Sequence, residues 1–145
     1  MRISSWCGAL VLAWAGTAHA EEAGCRRIRA EINLTDGTIA GNFGLNGTVA
    51  FASDGQGTPP PTAPAGSSVF SGLLTISTRR GELTLRETGM FSSRTDNPDG
   101  AVLTSWADSP SGTGAFEGVT GDLFFAGRVV EAAFLVQVSG TLCRP

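Results

Sequence analysis

The sequence predicts an all-β protein, a closed antiparallel up-and-down barrel of about eight strands. Its apolar runs are short and are bounded by Gly, Pro, Asn or Asp, and 20 of the 145 residues are glycine. After residue 20, no segment shows the long 3.6-residue periodicity of a helix. Two cysteines, Cys25 and Cys143, flank the first and the last predicted strand. Together these features indicate a sheet whose ends meet.

The N-terminal segment predicts export. Arg2 supplies a positive charge, residues 3–15 form an apolar stretch, and residues 18–20 (Ala-His-Ala) match a small-x-small cleavage site. The apolar stretch is shorter than the roughly 20 residues that span a bilayer. We expect residues 1–20 to be a cleaved signal peptide and residues 21–145 to form one periplasmic or extracellular domain without a transmembrane segment. An uncleaved N-terminal anchor is the alternative.

The composition excludes several kinds of chemistry. His19 is the only histidine, and the chain has no tyrosine and no lysine. Histidine-dependent nucleophile systems, Schiff-base lysines and histidine metal sites are therefore excluded from the mature domain, and we expect neither a metal nor a cofactor. The formal net charge is −3, and this lack of a basic excess argues against a nucleic-acid partner.

Cys7 lies within the expected signal peptide, so two cysteines remain in the mature domain, and they bear on the topology. In an exported protein an isolated pair predicts one disulfide, with two buried free thiols as the alternative. A disulfide holds its two Cα atoms within about 7 Å, so Cys25 and Cys143 would bring the first strand beside the last. With an even number of strands in a meander, that neighbourhood closes the barrel and leaves no open edge.

The first three strands are predicted from alternation and turn residues. Residues 28–34 alternate well, with Ile28, Ala30, Ile32 and Leu34 on one face. Two further strands, residues 38–43 and 48–53, flank an Asn46-Gly47 pair that is typical of a tight hairpin turn.

The other strands follow from the same signals. Residues 68–78 and 82–91 flank Arg80-Gly81, a second turn signal, and the last three predicted strands are residues 101–107, 120–130 and 133–142. Residues 54–67 contain Pro59-Pro60-Pro61 and are expected to form an extended loop outside the sheet, either a connector or a cover over a barrel mouth. Residues 94–100 form a polar turn cluster.

A glycine-rich segment carries a resemblance to a known family. Residues 112–127 read GTGAFEGVTGDLFFAG, in which Gly112, Gly114, Gly118 and Gly121 surround Phe116. Such glycines permit positive φ and close backbone approach, while Phe116 is expected to plug the core. This segment, together with residues 73–91 and 138–143, resembles small exported bacterial members of the allene oxide cyclase–dirigent-like barrel superfamily.

The resemblance implies a fold more than an activity. It implies an eight-stranded antiparallel barrel with a central cavity, often assembled as a trimer, and hence a homo-oligomer. Characterised relatives include a plant cyclase that makes a fatty-acid-derived hormone and proteins that steer the coupling of phenolic radicals. The residues that match are structural, and none of them corresponds to a catalytic or binding position of those relatives.

Glu87 is the polar residue that the alternation singles out. In residues 82–91 it shares a face with Leu83, Leu85, Gly89 and Phe91. A carboxyl on the apolar face of a barrel strand is desolvated, which raises its pKa and suits it to anchor a ligand or transfer a proton. The alternatives are a bulge that turns Glu87 outward or an arginine partner.

We therefore take Glu87 as the one catalytic candidate, and Glu87, Leu85, Phe91 and Trp106 as candidate ligand-binding residues. Trp106 fits equally well in a core or an interface. Three function classes stay open: a module that binds a small apolar ligand in the barrel, a cofactor-free isomerase or cyclase, and a non-catalytic protein of the cell envelope. The first is preferred, and the protein is not expected to be an enzyme.

Overall fold

The computed structural model describes residues 24–93 and 100–145, and there the chain forms the predicted closed barrel of eight antiparallel strands. The expected signal peptide lies outside these residues, as does most of the polar turn cluster. The strands are β1 (Cys25–Asn33), β2 (Thr38–Gly41), β3 (Gly47–Gly57), β4 (Ser67–Thr78), β5 (Gly81–Ser92), β6 (Val102–Gly112), β7 (Thr120–Val130) and β8 (Ala133–Cys143).

Each strand pairs with its neighbours in sequence, and β1 pairs with β8 over its whole length, from Cys25 opposite Cys143 to Asn33 opposite Leu135. Cys25 and Cys143 form a disulfide across this seam, with Cα atoms 3.8 Å apart. The predicted closure is therefore confirmed, and the disulfide joins the two strands at which a meander would otherwise be open.

Three strands run further than the sequence predicts, and β1 is one of them, because it begins at Cys25 and not at Ile28. β3 continues through Gly57, into the segment expected to be a loop, and its register against β4 shifts between Ser53 and Gly55. Arg86 on β5 forms an ion pair with Asp54 at this irregularity, so side-chain contacts hold the extension against the sheet. β6 also continues to Gly112 instead of ending at Ala107.

The connection between β2 and β3 is not the tight two-residue turn expected from Asn46-Gly47. β2 ends at Gly41, five residues connect the strands, and Gly47 already belongs to β3. Asn46 instead bonds the backbone N–H and C=O of Gly41 through its side-chain amide. Phe43 and Gly44 both take positive φ, so the chain reverses three residues earlier than predicted.

The barrel has two ends of different construction. The disulfide end carries the disulfide and the connections β2–β3, β4–β5 and β6–β7. The distal end carries the connections β1–β2, β3–β4 and β7–β8. Buried residues recur at every second position in the middle of β1, β5, β7 and β8, as period-2 strands require.

The disulfide end is filled by side chains from its loops. Phe116, on the short 3-10 helix Gly114–Phe116, is fully buried, as predicted, together with Leu45 and Val119 from neighbouring loops. Phe43 packs against Phe116, with ring centroids 6.4 Å apart. The guanidinium of Arg144 lies 4.0 Å from the centre of the Phe43 ring and donates to the Phe43 carbonyl. This end is therefore plugged.

Candidate functional site

A cavity of about 230 Å³ occupies the distal half of the barrel. Seven of the eight strands, all except β2, and the residue after β1 contribute to its wall. Its lining is apolar except for one carboxyl group, and consists of Ile32, Leu34, Phe51, Phe70, Leu74, Glu87, Phe91, Leu103, Phe125 and Val136.

The cavity has a closed floor and an accessible mouth. Ile32, Phe125 and Val136 are nearly fully buried and belong to the continuous core of the barrel. Leu34 and Phe51 remain 45% and 42% exposed, so they lie at the rim. Among the described residues, the cavity therefore opens toward the distal end.

The mouth lies where β3 extends past β2. Register pairs join these strands only at Thr38–Thr48 and Ile39–Gly47, because β2 is four residues long. The rest of β3, including Phe51, continues beyond this pairing and has its register partners on β4. A short second strand thus leaves room at the distal end that a full-length strand would occupy.

Glu87 projects into the cavity from β5 and is 6% exposed. Strand alternation places it two residues beyond the buried Leu85, and its register partners are Gly72 on β4 and Ala107 on β6. The Ser105 hydroxyl, also buried, donates to Glu87 Oε1 at 2.5 Å. Burial raises the pKa of Glu87, and the hydrogen bond from Ser105 opposes that rise only in part.

Glycines beside Glu87 make space for aromatic rings. A Cβ atom at Gly89 would collide with Ser105 and would lie 2.9 Å from the Phe70 ring. A Cβ atom at Gly72 would lie 2.6 Å from the Phe51 ring. Phe51 and Phe70 pack edge to face, with centroids 5.4 Å apart. The rings lie close to the strand backbone because those positions lack side chains, and the barrel axis beside Glu87 stays empty.

The four candidate ligand-binding residues separate into three positions. Glu87 and Phe91 line the cavity. Leu85 is fully buried on the same face of β5 but lies within the core and not in the cavity wall. Trp106 requires a correction: it is 45% exposed, because its neighbours Ser105 and Ala107 are buried and alternation turns Trp106 to the outer face.

On the outer face, Trp106 pairs with Phe124 of β7, which is 50% exposed. This leaves an apolar patch on the barrel surface. Asp54 and Arg86 lie on the outer face as well, where the hydrogen bonds from Arg86 lower the pKa of the Asp54 carboxyl. Neither charged group lines the cavity.

Sequence reasoning missed Phe51, Phe70, Leu103 and Ser105 as components of the site. Val69 and Phe70 are adjacent and both apolar, so alternation along β4 does not show which of them points inward. Leu103 and Ser105 could have been found by continuing the alternation from Ala107 backwards along β6. Phe51 lies within the predicted strand 48–53 and could have been found from its alternation with Val49.

The site offers a carboxyl group with a hydroxyl partner inside an apolar enclosure. Such a group can orient a ligand or exchange a proton with it. Within residues 24–93 and 100–145, no group of three or more His, Cys, Asp or Glu side chains is placed to hold a metal ion. The same ranges contain no helix long and apolar enough to cross a membrane. Comparisons with family models, curated proteins and solved structures found no match for this chain.

Proposed function

We propose that this chain is a small exported barrel protein that holds one small apolar molecule in its distal cavity, with Glu87 as the polar anchor. The observation that carries the proposal is the cavity of about 230 Å³ whose wall is apolar apart from that carboxyl. An engineered apolar cavity of roughly 150 Å³ accommodates benzene. The volume here therefore suits a single ring with a short substituent, or a short chain, and is too small for most drug-sized ligands.

Binding is favoured over catalysis because few polar groups line the cavity. Glu87 and its partner Ser105 supply one hydrogen-bonding point, which can orient a molecule but offers no second acid or base to complete a proton transfer. Cofactor-free isomerisation is the second candidate. It is favoured by the raised pKa of Glu87, because a carboxyl that holds its proton closer to neutral pH can act as a general acid.

We also propose that the domain is exported and belongs to the allene oxide cyclase–dirigent-like superfamily. Export is supported by the disulfide between Cys25 and Cys143, since such bonds persist in oxidising compartments. Membership is supported by the eight-stranded barrel and by the burial of Phe116 within its glycine-rich segment. Homo-oligomerisation is supported by the exposed Trp106–Phe124 pair, an outward apolar patch that a second chain would cover.

A matched pair of substitutions tests the binding proposal. Val136 lines the cavity and Val102 is exposed on the outer face of β6, so Val136→Phe fills the cavity and Val102→Phe leaves it unchanged. We expect ethylbenzene to shift the NMR methyl signals of Leu74 and Ile32 in the wild-type protein and in Val102→Phe. It should shift neither in Val136→Phe. Absence of any shift in the wild-type protein at millimolar ethylbenzene would refute the proposal.

A further inference from the structure

The surroundings of Glu87 bear on which class of ligand the cavity selects. Of the ten residues that line the cavity, Glu87 alone is ionisable. Its flanking strands add no charge on the inner face, since its register partners are Gly72 and Ala107. The nearest charged residue in sequence, Arg86, is turned to the outer face and paired with Asp54. No cation within the described residues therefore compensates an ionised Glu87.

A buried carboxyl without a cationic partner is more stable with its proton retained. The Ser105 hydroxyl already donates to Oε1, which leaves Oε2 as the atom that carries the proton and is free to donate. In this state Glu87 presents a hydrogen-bond donor to an otherwise apolar cavity. The rise in the pKa of Glu87 caused by burial agrees with that protonation state.

We propose that the cavity selects neutral one-ring or short-chain molecules that carry a hydrogen-bond acceptor, such as a carbonyl oxygen, and that it discriminates against amines and carboxylates. The selectivity arises because Glu87 donates from Oε2 while Ser105 holds Oε1. An acceptor oxygen satisfies the donor, and the remainder of the ligand contacts the apolar wall. A carboxylate would be buried without a counter-ion, and an ammonium group would require Glu87 to ionise. This inference rests on the proposed binding function.

Four probes of nearly the same size test the selectivity: ethylbenzene, acetophenone, benzylamine and benzoate. They are titrated into the disulfide-bonded protein and followed by calorimetry and by the methyl signals of Leu74. We expect acetophenone to bind about 3- to 10-fold more tightly than ethylbenzene, because this ratio corresponds to the net free energy of one neutral hydrogen bond. Benzylamine and benzoate should bind more weakly than either.

Substitutions at Glu87 separate the donor from the charge. Glu87→Gln keeps a donor, its amide N–H₂, while its oxygen can still accept from Ser105, so it should keep the preference for acetophenone. Glu87→Leu removes the donor and should bind acetophenone and ethylbenzene equally. As the pH rises through the folded-state pKa of Glu87, which burial holds above its ordinary value, the wild-type preference should decline because Glu87 ionises. The preference of Glu87→Gln should stay constant over the same pH range.

The outcomes are distinguishable. If ethylbenzene fails to bind, the binding proposal is wrong and this inference is wrong with it. If ethylbenzene binds but acetophenone binds no more tightly, or benzylamine binds best, the cavity is a binding site and only the inferred selectivity is overturned. If Glu87→Leu does not fold, the contrast in pH dependence between the wild-type protein and Glu87→Gln still decides the question.

Discussion

The two ends of this barrel are built from the same eight strands, yet one is solid and the other hollow. At the disulfide end, loops deliver Phe116 and Leu45 into the interior and a disulfide ties the seam. At the distal end, β2 is too short to cover β3, and glycines such as Gly72 and Gly89 leave the axis beside Glu87 empty. We therefore expect the disulfide end to contribute more to the stability of the fold, whereas the distal end contains the cavity in which we propose that a ligand binds.

The largest effect should come from breaking the seam. Replacing Cys25 and Cys143 together with serine removes a cross-link between residues 118 positions apart. We expect the free energy of unfolding to fall by about 4–5 kcal/mol, because the unfolded chain regains its loop entropy. Urea unfolding measures this, and the wild-type protein under a thiol reductant is the control. A loss below about 1 kcal/mol would mean that β1–β8 pairing alone secures the closure.

The next largest effect should appear when the stability lost on truncating one phenylalanine at each end is compared. Phe116→Ala removes a fully buried plug and should cost about 3–5 kcal/mol. Phe91→Ala removes a partly exposed ring that already borders a void, and should cost only about 1–2 kcal/mol. Thermal or urea unfolding of the two variants gives the comparison. Equal losses would contradict the view that the ends differ in their contribution to stability.

Glu87→Gln should increase stability at neutral pH, by on the order of 1 kcal/mol. Burial raises the pKa of Glu87 above its ordinary value of 4.5. The contribution of Glu87 to the free energy of unfolding is therefore fully present below pH 4.5 and is lost as the pH rises through its folded-state pKa. The glutamine variant has no such loss, so the two proteins should be equally stable near pH 4 and diverge upwards. Parallel stability curves would show that Glu87 is not desolvated.

The smallest effect should come from the ion pair at the irregularity of β3. Arg86 holds the pKa of Asp54 below its ordinary value of 3.8, so the contribution of this pair is present above that value and is lost as the pH falls further. Both side chains are exposed, and salt should screen the pair. Asp54→Asn should lower the melting temperature only slightly at low salt and not at all in about 1 M salt. The Ser71 hydroxyl on β4 also donates to Asp54 Oδ1. A loss that survives high salt would therefore indicate that this hydrogen bond, and not the ion pair, holds the irregularity of β3.

Local sequence signals were enough for much of the site. Alternation in β5 placed Glu87 on the inner face with Leu83 and Leu85, because successive side chains of a strand point to opposite sides. The same rule, applied to β6, turns Trp106 outward because its neighbours Ser105 and Ala107 point inward, so Trp106 does not belong to the cavity. The prediction of a tight turn at Asn46-Gly47 was wrong. The Asn46 side-chain amide bonds the backbone of Gly41 and thereby stabilises a longer loop.

The sequence by itself determined the all-β class, the closure of the barrel and the inward position of Glu87. Each of these depends on short-range alternation, on turn residues or on the covalent reach of one disulfide. Only the tertiary structure decided where the interior is filled and where it is empty. That outcome depends on the stagger of β3 against β2 and on rings from Phe51 and Phe70 that lie over distant glycines. Such packing joins residues far apart in the chain, and no local pattern encodes it.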